Sequence, residues 1–345
     1  MPRMSPDGQK QYNIALVGAS GVVGQEFIKI LLERRFPVAS LKLLATSRSA
    51  GKRMMVGEQE LVVEETTPKS FEGADLAFIS ASGAASKTYC PIVAKMGAVA
   101  IDDSSAWRMD PEVPLVVPEV NAGDVEWHKG ILAIPNCSTT PVVMVLWPLH
   151  RVNPIKRITA ATYQSVSGTG RLAVEELNTQ SKAIQEGKEV VPHVYPHQIA
   201  FNLLPEIDVF RDDGYTKEEW KMMAETQKIM HDESIAISAT CVRVPVLVSH
   251  SVAVHVEFSR PWSVEEVRQI LGQAPGVTIQ DDPSVSLYPQ PWTAAGRDDV
   301  FVGRIRQDSS HPNGMVFWIV SDNLRKGAAT NAIQIAEELV ARNLI

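Results

Sequence analysis

Tyr12-Asn13-Ile14-Ala15-Leu16-Val17-Gly18-Ala19-Ser20-Gly21-Val22-Val23-Gly24 decides the reading of the fold. Tyr12 to Val17 is a largely apolar run of strand length that leads straight into glycines spaced G-x-x-G-x-x-G. Val23, Phe27, Ile30 and Leu31 then recur at helical spacing, so the segment reads strand, glycine loop, helix. Such a loop lets the backbone approach a pyrophosphate at the helix N-terminus, where unpaired N–H groups and the helix dipole favour negative charge. Gly18, Ala19, Ser20, Gly21, Val22 and Val23 are therefore candidate cofactor contacts. A tight turn with no ligand is the other reading, and the spacing departs from the commoner G-x-G-x-x-G.

Outward from this loop the pattern repeats. A strand-like run, Leu41 to Ala45, follows a turn at Pro37 and leads into Thr46-Ser47-Arg48-Ser49, with Lys52 and Arg53 nearby. NAD sites commonly place Asp or Glu about 20 residues on, against the ribose 2′-hydroxyl. Here Ser47, Arg48 and Ser49 offer hydroxyls and a guanidinium, which suit a 2′-phosphate, so NADP is the expected cofactor. A solvated basic turn is the alternative. Asp75 to Ser80 and Ala98 to Ile101 read as buried strands, with a helix near Ala84 to Met96 between them. Strands alternating with helices imply a parallel, doubly wound sheet. Residues 11–135 are expected to be an NADP-binding domain.

After Asn136 the pattern changes. Ile158 to Gln164, Ile237 to Val244, Val252 to Phe258, Val300 to Arg306 and Met315 to Val320 alternate partially, as strands do. Helical segments near Leu172 to Gln185 and Lys217 to Met230 are interleaved with them. The chain closes with a helix from about Leu324, with Ala328, Ala332, Ile335, Ala336 and Leu339 on one face. The expected architecture is α/β, a Rossmann-like doubly wound parallel sheet plus an α+β catalytic domain, residues 136–321, with a mixed, largely antiparallel sheet. The C-terminal helix, 322–345, is expected to rejoin the first domain.

Composition narrows the function. A net charge of −7 over 345 residues gives no basic footprint for nucleic acid. A 45% hydrophobic content suffices for globular cores. No apolar stretch approaches the roughly 20 residues that span a bilayer. Met1 to Gln11 is short and polar, without the apolar core of a signal peptide. Cys90, Cys137 and Cys241 are widely spaced and odd in number, against a disulfide framework or a Cys-rich zinc site. A cytoplasmic enzyme is expected.

The chemistry concentrates in Ile134-Pro135-Asn136-Cys137-Ser138-Thr139-Thr140-Pro141, which precedes an apolar helical run. Ser138, Thr139 and Thr140 are good cap residues and Pro141 fits a first turn, so a helix should start just after Cys137. A helix N-terminus favours the thiolate, the nucleophilic form. Backbone N–H groups after Cys137 are candidate oxyanion donors. The bland alternative is a small buried hydrophobe, the reading given to Cys90 and Cys241. Tyr163-Gln164-Ser165-Val166-Ser167-Gly168-Thr169-Gly170 follows a strand, and Cys241 to Ser251 carries Arg243, Pro245 and His250. Pro245 should end a strand and the next begins after His250, so Arg243 and His250 can lie at one end of one sheet. His193 and His197 are spaced H-x-x-x-H, but Pro192 and Pro196 break any helix that would present both, and no metal is expected.

These windows together resemble the aspartate-semialdehyde dehydrogenase family. The resemblance extends from about Asn13 to the C-terminus. It is carried by the glycine loop, the Arg48 region, Asp103-Ser104-Ser105-Ala106-Trp107-Arg108, Val117-Pro118-Glu119-Val120-Asn121 and Pro135-Asn136-Cys137-Ser138-Thr139. It continues through Tyr163 to Gly168, Glu218-Glu219-Trp220-Lys221, Arg243 to His250 and Ser321-Asp322-Asn323-Leu324-Arg325-Lys326-Gly327. It implies reversible, phosphate-dependent oxidation of L-aspartate 4-semialdehyde with NADP, run biosynthetically as reduction of L-aspartyl 4-phosphate towards lysine, methionine and threonine. Carried over by motif, Cys137 is the nucleophile, His250 the general acid/base, and Gln164 orients the substrate. Arg243 clamps the substrate α-carboxylate, Arg108 and Lys221 bind phosphate, Asn136 lines the pocket, and Glu218 stands near the substrate amino group. Asn323, with Ser167 and Gly168, lies on the nicotinamide side. The resemblance also implies a homodimer, with a tetramer as the alternative. Ile134 stands where many relatives carry Asn, and Ser249 where Ala or Gly is frequent. Two rival readings are a related acyl-phosphate reductase, such as N-acetyl-γ-glutamyl-phosphate reductase, and a catalytically silent NADP-binding paralogue.

Overall fold

In the computed structural model, which describes residues 3–4 and 10–345, the apolar run before the glycine loop is the inner strand of an eight-stranded sheet. Most of the stretch Met1–Gln11 lies outside the described residues. The strands are β1 (Arg3–Met4), β2 (Lys10–Val17), β3 (Val38–Ala45), β4 (Arg53–Val56), β5 (Gln59–Glu65), β6 (Leu76–Ile79), β7 (Val99–Asp102) and β8 (Ile131–Ala133). They run in the order β4-β5-β3-β2-β6-β7-β8, with β1 antiparallel on β2. All pairs from β5 to β8 are parallel, and the strand order reverses between β2 and β6, the switch point of a doubly wound sheet.

Gly18 sits at that switch point with φ +83°, and a Cβ there would stand 1.9 Å from the Ser80 carbonyl oxygen. Only glycine fits, because backbone from β6 occupies the space. Helix α1 (Val22–Glu33) follows, with no side-chain cap and no acidic residue in its first turn. Its buried face carries Phe27, Ile28, Ile30 and Leu31. The Phe27 and Phe78 rings lie 4.1 Å apart, and such burial stabilises by roughly 2–3 kcal/mol per large side chain. Helix α2 (Gly83–Lys95) and the short α3 (Pro118–Asn121) complete this part of the chain. The antiparallel β4–β5 hairpin was not foreseen from sequence. Its residues are mostly exposed and charged, so no apolar alternation marks it.

The second sheet has the order β10-β9-β11-β14-β13-β12, built from β9 (Ile155–Gln164), β10 (Ala236–Arg243), β11 (His250–Phe258), β12 (Val277–Ile279), β13 (Val300–Gln307) and β14 (Gly314–Ser321). β10–β9 and β12–β13 are parallel and the remaining pairs antiparallel, the mixed sheet expected. Helices α4 (Thr139–His150), α5 (Arg171–Gln185), α6 (Lys217–Ile229), α7 (Val264–Leu271) and α8 (Pro291–Ala294) accompany it. Helix α4 is apolar all round and nearly every residue is buried, as befits a helix enclosed in a core. The opposite sheet face is half open, with Thr159 and Tyr163 exposed on β9 and the Tyr163 and Trp318 rings 5.5 Å apart.

The chain divides into two compact units, one running to Pro135 and resuming at Ala328–Ile345, the other Asn136–Gly327. The closing helix does not begin as a regular α-helix. A π-helical turn, Arg325–Ala329, precedes α9 (Thr330–Ala341), whose Ile333, Ile335, Ala336 and Leu339 are fully buried in the first unit's core. Among the described residues no helix is long and apolar enough to cross a membrane.

Candidate active site

Cys137 lies two residues before the first residue of α4, and its Sγ is 3.2 Å from His250 Nε2. The segment is held by Asn136. Its Oδ1 accepts from the Ser138 backbone N–H and hydroxyl, both at 2.8 Å, and its carbonyl accepts from the N–H groups of Thr139 and Thr140. The Ser138 and Thr139 N–H groups, expected as oxyanion donors, are thus already engaged. Asn136 itself, rather than Ser138, performs the capping, because its short amide folds back onto the helix start.

Helix α6 grips Asn136 from the other side. Glu225, fully buried, accepts the Asn136 backbone N–H at 2.6 Å, and Glu218 Oε1 accepts Asn136 Nδ2 at 2.7 Å. Glu218 also accepts from Gln164 Nε2 at 3.3 Å. Positions 218, 221 and 225 share one face of α6, since residues three, four and seven apart align on a helix. Lys221 Nζ is 2.8 Å from Asp208 Oδ2 and 3.2 Å from Glu218 Oε2. Burial pulls the Lys221 ammonium down, but Glu218 and Asp208 outweigh it and hold it above its ordinary value.

β9 ends at Gln164, β10 ends beside it at Arg243, and β11 begins at His250. Arg243 Nη1 donates to the Ser165 carbonyl at 2.8 Å, and its buried Nε has no partner among the described residues. The His250 ring is fully buried; burial first, and the Arg243 charge second, push its pKa down to about 3. It is therefore neutral at ordinary pH. A Cβ at Gly168 would stand 3.1 Å from Arg243 Nη1 and 3.2 Å from His250 Nε2, so this glycine brings backbone close to both groups. A Cβ at Gly327 would stand 2.8 Å from Cys137 Cβ. Ser249 holds φ +75°, a region that favours glycine, and its N–H donates to Asn323 Oδ1 at 2.8 Å. Ser165 Oγ and Ser167 Oγ reach the same Asn323 oxygen, each at 3.1 Å.

Cys137, His250, Gln164, Arg243, Asn136, Glu218, Lys221, Ser167, Gly168 and Asn323 all belong to the second unit. The glycine-loop residues, Ser47, Arg48, Ser49 and Arg108 belong to the first. There Ser47 and Arg48 are exposed just after β3, and Arg108 Nη2 donates to the Asp103 carbonyl at 2.9 Å. Residues 188–200, which include His193 and His197, carry no helix. Cys90 and Cys241 are fully buried, and burial pushes each thiol up to about 12. Sequence reasoning missed Asp208 and Glu225. The i, i+7 spacing of Glu218 and Glu225 was a usable signal for the second, whereas Asp208 sits in a loop with none.

A dinucleotide-type sheet in one unit and a thiol–imidazole pair at the end of a mixed sheet in the other define the semialdehyde dehydrogenase class. The domain family described as semialdehyde dehydrogenase, NAD binding domain, matches residues 13–128, and the semialdehyde dehydrogenase dimerisation domain matches residues 146–326. The chain is 54% identical over 338 residues to aspartate-semialdehyde dehydrogenase of Aquifex aeolicus, covering 97% of this chain and 99% of that protein. It is 48% identical over 341 residues to the Bacillus subtilis enzyme of the same name, covering 96% and 99%. Among solved structures, aspartate semialdehyde dehydrogenase II of Vibrio cholerae complexed with ASA superposes with a TM-score of 0.94 at 43% identity, over 96% of this chain and 99% of that one. The chain belongs to the aspartate-semialdehyde dehydrogenase family.

Proposed function

We propose that this protein catalyses the reversible, NADP-dependent reductive dephosphorylation of L-aspartyl 4-phosphate to L-aspartate 4-semialdehyde and phosphate, through a thioester on Cys137. The single observation that carries the reading is the Cys137 Sγ–His250 Nε2 approach of 3.2 Å at the end of the second sheet. In the oxidative direction Cys137 adds to the aldehyde carbon, and His250 Nε2 serves the oxygen that becomes negative there. Gln164 orients the bound substrate. Arg243, with its free Nε, clamps the α-carboxylate, because a guanidinium matches carboxylate geometry in a way a point charge cannot. Glu218 faces the substrate amino group. Lys221 and Arg108 bind phosphate, whose arrival at Lys221 competes with Asp208.

The first unit fits a dinucleotide. The uncapped start of α1 and the side-chain-free approach at Gly18 suit a pyrophosphate, while Ser47, Arg48 and Ser49 suit a 2′-phosphate and so favour NADP over NAD. The bound nicotinamide supplies the hydride acceptor, and Ser167, Gly168 and Asn323 line its side of the pocket. Residues 11–135 with 322–345 form the cofactor domain and 136–321 the catalytic and dimerisation domain of a cytoplasmic homodimer.

The test follows NADPH formation by the purified chain with aspartate semialdehyde and phosphate, repeated with NAD and with N-acetylglutamate semialdehyde. Turnover of only the acetylated aldehyde overturns the substrate assignment. Cys137→Ser should abolish turnover while NADP still binds, and unchanged turnover in that variant removes Cys137 from the mechanism.

A further inference from the structure

The way charge is carried between Cys137 and His250 can be read one step further, and this inference rests on the function just proposed. The backbone N–H of Ser165 donates to His250 Nδ1 at 3.0 Å. A nitrogen that accepts a backbone N–H presents its lone pair, so the single proton of the neutral ring lies on Nε2, facing sulfur. A second proton on Nδ1 would point at the Ser165 N–H. The arrangement is braced from behind. Asn323 Oδ1 takes the Ser165 hydroxyl, the Ser167 hydroxyl and the Ser249 N–H, and Asn323 Nδ2 donates to Ser167 Oγ at 3.0 Å. This one amide therefore fixes Ser165 and also holds the left-handed residue that delivers His250 to its strand.

We propose that His250 acts as a neutral, tautomer-locked hydrogen-bond donor, with Ser165 and Asn323 as its positioning residues, and that no proton passes through the ring during acylation. Cys137 reacts as the thiolate, its proton already lost to water, with Nε2–H donating to sulfur. A sulfur electron pair forms the S–C bond while the carbonyl π pair moves to oxygen, giving a hemithioacetal alkoxide that accepts the Nε2–H hydrogen bond. That oxygen pair re-forms the carbonyl as hydride departs with two electrons to the oxidised nicotinamide. Carbon is oxidised to the thioester and the cofactor is reduced. A phosphate oxygen then adds and sulfur leaves as thiolate, so the imidazole begins and ends neutral. A neutral imidazole held to polarise an oxygen is an established catalytic device in another enzyme, triosephosphate isomerase.

The full-length enzyme labelled with 15N-histidine tests this, His250→Asn assigning the ring by subtraction. Expected is a bare Nδ1 and a protonated Nε2 at neutral pH, persisting to pH ~5. An imidazolium or an Nδ1–H tautomer at neutral pH overturns the proposal. Asn323→Asp keeps an acceptor oxygen but adds a negative charge, so the ring pKa should rise and the imidazolium appear at higher pH; an unmoved ring titration removes Asn323 from this role. The solvent deuterium isotope effect on single-turnover acylation should be near one, whereas a value of about two or more signals a proton in flight and overturns it. A chain with the expected tautomer but no aldehyde turnover defeats the proposed function and not the tautomer; turnover with an imidazolium does the reverse.

Discussion

Replacing Asn136 by Ala should cost stability and activity together, because this side chain joins the start of α4 to the face of α6. The Oδ1 cap on Ser138 is worth about 1 kcal/mol, within a range of roughly 0.5–2. The Nδ2 bond to the Glu218 carboxylate is charge-assisted and contributes about 1.5–3 kcal/mol, since its loss strands a buried acceptor. The backbone bond to Glu225 survives the substitution. The expected loss is about 2.5–4 kcal/mol. For a unit of roughly this size each kcal/mol lowers the midpoint by ~2–4 °C, so thermal unfolding followed by calorimetry should fall by about 5–15 °C. The thiol segment also loses its anchor, and a displacement near 1 Å at a nucleophile typically costs about 100-fold in rate. Asn136→Asp separates the two contributions. It keeps the capping oxygen but sets a second carboxylate against Glu218, so its deficit should shrink as pH falls and one carboxylate protonates. A melting temperature for Asn136→Ala within about 2 °C of wild type refutes the clamp.

Arg243→Lys should raise the aldehyde KM and lower kcat/KM by about 30- to 150-fold, the equivalent of ~2–3 kcal/mol for a lost bidentate contact; an unaltered KM takes Arg243 out of the substrate pocket. Iodoacetamide at pH ~7.5 should modify Cys137 and spare Cys90 and Cys241, whose burial disfavours the thiolate, and peptide mass spectrometry that finds the label on either buried cysteine contradicts this. Asp102 is fully buried, and burial raises its carboxyl to about 6. Because that value lies above the unfolded one, the folded state holds its proton more tightly, and Asp102 destabilises progressively as pH climbs from ~4 to ~6. Asp102→Asn should therefore stabilise by on the order of 2–3 kcal/mol at pH ~7.5 and by little at pH ~4, checked by urea titration; a gain equal at both pH values excludes ionisation as the cause.

Much of the fold is legible in the sequence because burial writes itself into hydrophobic runs. The strand before Gly18, the parallel run Leu76–Ile79 and the long helix α6 all follow from that pattern. The hairpin β4–β5 escapes because its side chains face solvent, and the three-residue strands β8 and β12 are too short to show a period. At the site, Cys137, Arg243 and His250 stand out through their residue types and the strand ends around them. The bonding of Asn136 does not, since a linear string cannot say that its amide will turn onto Ser138 and leave the following N–H groups occupied. The same holds for Asn323, which is near the pocket by motif but commits its oxygen to three donors that only the folded chain assembles.

The room beside the sulfur is set by two side chains that do not exist, at Gly168 and Gly327. Neither position offers a functional group, yet a mutational scan should find both as intolerant as the nucleophile itself. Anyone enlarging the range of aldehydes this protein accepts has nothing to trim there, and must look for new space on the opposite wall, around Gln164 and Glu218.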